Sequence, residues 1–195
     1  MYGALGIHPE DVLDYTIDDL KFIEDNIKTK KIIAIGEIGL DYHYSKDNKK
    51  EQIELFEIQL KMAEKYKLPV IIHSREATED TINILKKYNV IGTIHSFSGS
   101  LETAKIYIKM GYLIGINGVV TFKNCNLKDI LPKIGLDNIV LETDSPYLTP
   151  VPDRGKQNNP GYVKVICEYL TNVFNVDLET IEEKTNENIK RMYGI

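Results

Sequence analysis

Cysteine is scarce. Cys125 and Cys167 are the only two, and they stand apart with no metal-type spacing. This argues against a redox role and fits a cytoplasmic chain whose thiols stay reduced. No apolar stretch approaches the ~18 residues needed to span a membrane, and no charged-then-apolar leader opens the chain. Basic charge is also short: 24 Lys and Arg face 29 Asp and Glu, a net of −5. A broad basic nucleic-acid surface is therefore not expected, although divalent cations can supply local positive charge to a nucleic-acid enzyme. There is no Gly-x-Gly-x-x-Gly and no P-loop pattern, so nothing points to a nucleotide cofactor. No Ser-His-Asp or Cys-His grouping accompanies a nucleophile elbow.

What is present is a repeated design. Ile32 to Tyr44 reads IIAIGEIGLDYHY. Its aliphatic lead-in has the pattern of a buried parallel strand, and the strand delivers one carboxylate, Glu37, between Gly36 and Gly39. Such a charge is costly unless something pairs with it. Three later stretches do the same: PVIIHS ends in His73, GTIHSFSG carries His95, and NIVLETDSP carries Asp144. One carboxylate, two imidazoles and a second carboxylate thus sit at the C-terminal ends of β-like runs.

The 195 residues suit a single domain with a sizeable core. Strands are expected to start near Met1, Ile32, Val70, Val90, Tyr112 and Asn138. Helices are expected over Asp14–Lys28, with Thr16 as N-cap, and over Lys50–Lys67 and Arg75–Tyr88. Others are expected from Gly99 to Met110, over Lys128–Ile134 with a break at Pro132, over Tyr162–Asn175, and over Leu178–Tyr193 with a break at Thr185. The Pro-, Gly- and Asn-rich segment Ser145–Pro160 reads as a long ordered loop. Alternating strand and helix implies an α/β fold with a parallel sheet. Spacings of 36, 22 and 49 residues separate Glu37, His73, His95 and Asp144. They fit one, one and two units of a TIM barrel, at about 31 residues per unit. Such a barrel has eight strands and six are counted, so the first two βα units are expected to be missing. Exposed edge strands would then favour self-association.

Glu, His, His and Asp converging at one end of a barrel would suit a divalent cation, Mg²⁺, Mn²⁺ or Zn²⁺, one or two per chain. Two ions suit in-line displacement at phosphorus, and one can still activate water. Each residue also has a plainer reading. Glu37 could be a cap or a salt bridge, His73 and His95 could be satisfied core histidines, and Asp144 could cap the loop before Pro146. Arg75 is either a solvated charge or a phosphate contact, for which its planar fork is suited. His8 before Pro9 reads as a turn histidine and His43 as a surface one. Tyr42, Tyr44 and Tyr147 either pack or line the opening.

Taken together, GIHPED, IGEIGLDYHY, LPVIIHSREA, IHSFSGS and LETDSPYLTP resemble the TatD family of metal-dependent deoxyribonucleases, over essentially the whole chain. The resemblance implies a TIM-barrel metallohydrolase that cleaves phosphodiester bonds in DNA, often as a 3′→5′ exonuclease. It implies that Glu37 bridges two metals, that His73 and His95 complete one site, and that Asp144 serves the other near the attacking water. It places His8 and Arg75 near the substrate phosphate. Two departures stand out. The family's opening strand carries a His-x-His pair, which occurs nowhere here, and Gln157 stands where an arginine is usual. With one site nominally whole, the chain is expected to hold one ion well and to show impaired nuclease activity. The alternatives are an amidohydrolase-type barrel acting on a small amide or ester, and an inactive fragment. Native mass spectrometry checks the ion count: one tightly bound ion per chain is expected, and two would contradict it.

Overall fold

The apolar run that begins at Ile32 becomes the longest strand of the protein, β2 (Ile32–Asp41). The computed structural model describes residues 1–195. They fold as two units, residues 1–95 with 192–194 and residues 96–191 with 195. The first unit holds β1 (Gly3–Leu5), β2, β3 (Val70–Arg75) and β4 (Gly92–Ile94), each parallel to the next in chain order. Helices α1 (Ile17–Asn26), α2 (Lys49–Tyr66) and α3 (Thr78–Leu85) make the crossovers. Ala34, Ile35, Ile38 and Leu40 of β2 are buried together with Leu55, Phe56, Leu60 and Ala63 of α2.

Local chemistry sets the boundaries. Thr16 and Asp19 form a reciprocal capping box, so α1 starts at Ile17 and not at Asp14. Helix α2 stops where Lys67 turns left-handed ahead of Leu68-Pro69. Arg75 lies in the strand and not in a helix, because Glu76 at φ 53° breaks the chain direction before α3 begins. Two glutamines on one face of α2 tie the strand ends down. Gln59, fully buried, accepts from Ile7 N at 2.7 Å and donates to Ile7 O at 3.0 Å. Gln52 accepts from Asp41 N at 2.8 Å and donates to Asp41 O at 2.7 Å.

The second unit contains α4 (Leu101–Lys109), the parallel pair β5 (Tyr112–Ile116) and β6 (Ile139–Leu141), α5 (Leu127–Ile134), α6 (Val163–Phe174) and most of α7 (Leu178–Tyr193). Strand β5 ends at Ile116, short of the expected Val120, because Asn117 caps a 3-10 turn at Gly118–Thr121 by accepting from Val119 N. Two expected helix breaks do not occur. Pro132 forgoes one backbone bond, but α5 continues to Ile134, its stripe of Leu127, Ile130, Leu131 and Ile134 buried. Thr185 stays inside α7 by turning its hydroxyl back onto Ile181 O at 2.8 Å. Asn188 of α7 donates to Leu136 O and Ile139 O, anchoring the start of β6. The segment after β6 is ordered as expected: Asn158 donates through one amide to both Thr143 O and Tyr147 O. No helix is long and apolar enough to cross a membrane.

Replacing Gln59 by Leu keeps the volume but strands the Ile7 amide and carbonyl in the core. A loss of about 2–4 kcal/mol is expected, measurable by urea unfolding. Unchanged stability would contradict this role.

Candidate metal centre

The centre follows from the register of β2 against β3. Gly39 pairs with His73 and Asp41 with Arg75. Side chains alternate along a strand, so Glu37, Gly39 and Asp41 share one face while Ile38 and Leu40 point into the core on the other. Gly39 has no side chain, and the His73 imidazole occupies the gap between its two neighbours. Nδ1 of His73 lies 2.8 Å from Glu37 Oε1, and Nε2 lies 2.9 Å from Asp41 Oδ2. A Cβ on Gly39 would fall 2.0 Å from His73 O, and its φ of +143° favours glycine as well.

Two more imidazoles approach the same oxygen. His8 follows the Gln59-clamped Ile7. Its Nδ1 accepts from Glu10 N at 3.3 Å, which places the ring proton on Nε2, 3.8 Å from Glu37 Oε1. Its ring meets His73 edge-on, with centroids 4.5 Å apart. His95 follows β4, and its Nε2 is 3.7 Å from Glu37 Oε1. The last two separations are too long for hydrogen bonds. The His95 separation matches the spacing of two ligands on one ion, roughly 3–4 Å when each sits about 2.0–2.2 Å from the metal. Ligand atoms of His8, Glu37 and His73 all lie within 4.8 Å of one another. Imidazole nitrogens around a carboxylate oxygen suit Zn²⁺ or Mn²⁺, so the donor set fits a divalent cation.

Electrostatics follow the contacts. Burial pushes the Glu37 carboxyl up, but the His73 hydrogen bond and the nearby His95, His73 and His8 outweigh it and hold it below the usual carboxylate value. Burial pushes His73 down, but hydrogen bonds and charge from Glu37 and Asp41 win, and its pKa is raised. His8 goes the other way, lowered by burial and by the neighbouring His73.

Asp41 is not among the candidates the sequence marks, yet it is 3% exposed and wholly committed. Oδ1 accepts from His43 N at 2.8 Å while Oδ2 faces His73 Nε2. Both partners are donors when His73 presents Nδ1 to a metal, so both carboxylate oxygens are needed and an asparagine could serve only one. This is the carboxylate–histidine pairing that fixes a ligand's tautomer and orientation. Its signal in the sequence is the period-2 run Glu37, Gly39, Asp41. Arg75, at the end of β3, is exposed, with its guanidinium 5.1 Å from the Tyr44 ring centroid. Asp144 belongs to the second unit, just past β6, with φ 59° and its carbonyl accepting from Tyr147 N at 2.9 Å. Nearby, Glu142 accepts from Ser96 N at 2.5 Å and packs against Gly115. Glu142 too went unmarked in the sequence, because its partner is 46 residues away.

Parallel strands whose C-terminal ends gather imidazoles around a carboxylate define the class, a metal-dependent hydrolase of the α/β barrel type. The TatD related DNase family profile matches residues 1–194. An uncharacterized metal-dependent hydrolase of Bacillus subtilis, YabD, is 43% identical over 199 residues, covering 100% of this chain and 78% of its own. YcfH of Escherichia coli K12, an uncharacterized metal-dependent hydrolase, is 36% identical, covering 98% of this chain and 73% of its own. The crystal structure of YjjV, a TatD homologue from Escherichia coli K12, superposes with a TM-score of 0.94 at 30% identity, over 100% of this chain and 77% of that one. The chain therefore belongs to the TatD family of metal-dependent hydrolases and has its TIM-barrel fold, as its five motifs implied.

Two outcomes are expected. Asp41→Asn lowers cation affinity about 10–100-fold, read by competition with a chromogenic chelator; unchanged affinity would contradict the orienting role. Protons compete with the cation at His73, whose pKa lies above the ordinary 6.5. Affinity should therefore be tighter at pH 8 than at pH 6, and a flat or inverted profile would contradict the assignment.

Proposed function

We propose that the protein hydrolyses phosphodiester bonds in DNA, releasing nucleotides from the 3′ end. The single observation that carries metal-dependent hydrolysis is the convergence of His8, His73 and His95 on one oxygen of Glu37. The direction toward DNA comes from the family, whose profile is that of TatD related DNases. In this reading Glu37, His73 and His95 would hold the cation, with His8 beside them facing Glu37. A bound divalent cation supplies Lewis acidity at the phosphoryl group and makes water more acidic. Glu37 stays ionised because the imidazoles around it favour the anion. His73 keeps its orientation through Asp41. Arg75 would offer its planar fork to a phosphate at the rim.

A release assay on labelled single-stranded DNA tests the proposal. With Mg²⁺ or Mn²⁺, nucleotide release is expected; EDTA should stop it, and Glu37→Ala should reduce it to background. Release that survives EDTA or Glu37→Ala would overturn the reading. Turnover confined to small amides or esters would move the function to the amidohydrolase class.

A further inference from the structure

A cleft of about 380 Å³ adjoins the metal centre, lined by Glu10, Asp41, Tyr44, Ser45, Asn48 and Gln52. That volume is in the range of small-ligand sites. It shares Asp41 with the centre, so only the His73 imidazole separates its wall from Glu37. Tyr44 forms one side and is 71% exposed, but its surroundings are built. The Arg75 guanidinium lies 5.1 Å from the ring centroid, and the His43 ring meets it edge-on at 4.9 Å. The loop that carries it is stapled to the loop after β3. Tyr42 N donates to Arg75 O at 3.0 Å, His43 Nδ1 lies 2.7 Å from Glu76 Oε1, and Tyr42 OH donates to Asp80 Oδ2 at 3.0 Å. The aromatic face is thus held in place beside the cation site and left in water.

The polar lining selects the occupant. Asp41 is committed to His43 and His73, and the Gln52 amide to the Asp41 backbone and Asn48. Glu10 adds a carboxylate that repels phosphate, while the Ser45 hydroxyl and the Asn48 amide leave a mixed polar wall that meets N–H and O–H groups as well as acceptors. A flat group bearing such donors, with its phosphate outside the cleft, matches a nucleoside. We propose that this cleft seats the terminal nucleoside of the DNA strand. Its base stacks on Tyr44, its N–H edge faces Glu10, and its phosphate is directed toward Arg75 and the metal centre. Every base has a face that can stack, so the seat tolerates different sequences while favouring an unpaired end. This inference rests on the deoxyribonuclease reading above.

Calorimetric titration of the cation-loaded protein with dAMP and with 2-deoxyribose 5-phosphate tests it without turnover. The base should strengthen binding about tenfold or more, within the range of base–aromatic stacking. Tyr44→Ala should erase that advantage, and Tyr44→Phe should keep it. Equal binding of the two ligands to the unaltered protein, or an advantage that survives Tyr44→Ala, overturns the proposal. The release assay separates the two readings. DNA cleavage with no base-dependent binding leaves the nuclease standing and removes the seat. Tyr44-dependent dAMP binding with no cleavage of any DNA keeps the seat and removes the nuclease.

Discussion

The site depends on one imidazole held between two carboxylates. His73 can reach Glu37 with one nitrogen and Asp41 with the other only because Gly39 stands opposite it and contributes no side chain. The register of two strands thereby becomes chemistry. A shift of one residue would turn all three β2 positions to the opposite face, placing Ile38 and Leu40 at the cation site and the acids in the core. The cost of an unpaired buried carboxylate makes the observed register the one in which fold and site agree.

Helix α2 extends this control to the rest of the centre. Gln59 grips the backbone just before His8, and Gln52 grips the backbone of Asp41 itself. The two amides are seven residues apart, two turns along one helix face. A single rigid element thus sets the backbone of an imidazole that approaches Glu37 and of the acid that steers His73. Buried polar contacts of this kind are worth having only when every donor and acceptor is met, and in both glutamines each amide end is used. Through Asp41 the same anchoring reaches the cleft beside Tyr44, which couples the shape of that cleft to the orientation of the metal ligand.

Much of this was legible in the sequence because it is local. The six strands fall where short aliphatic runs precede a polar residue, and Thr16 marked its helix start through neighbours three residues away. The helix breaks expected at Pro132 and Thr185 fail because burial outweighs local preference. The apolar stripe of α5 carries the chain past the missing proline amide, and the Thr185 hydroxyl finds a carbonyl one turn back. Asp41 and Glu142 are hard to read from the sequence because their partners lie 32 and 46 residues off. Alternation from Glu37 does put Asp41 on the ligand face. For His8 the residues alone give a turn histidine and the resemblance of GIHPED puts it near the substrate phosphate; the fold sets its Nε2 3.8 Å from Glu37 Oε1.

X-ray absorption at the zinc edge of the Zn²⁺-loaded protein addresses the centre most directly. The account predicts a shell of nitrogen and oxygen at about 2.0–2.1 Å, with the outer-shell scattering of at least two imidazoles, which Glu37→Ala weakens or abolishes. A shell containing sulfur, or one of oxygen alone with no imidazole signature, would contradict it.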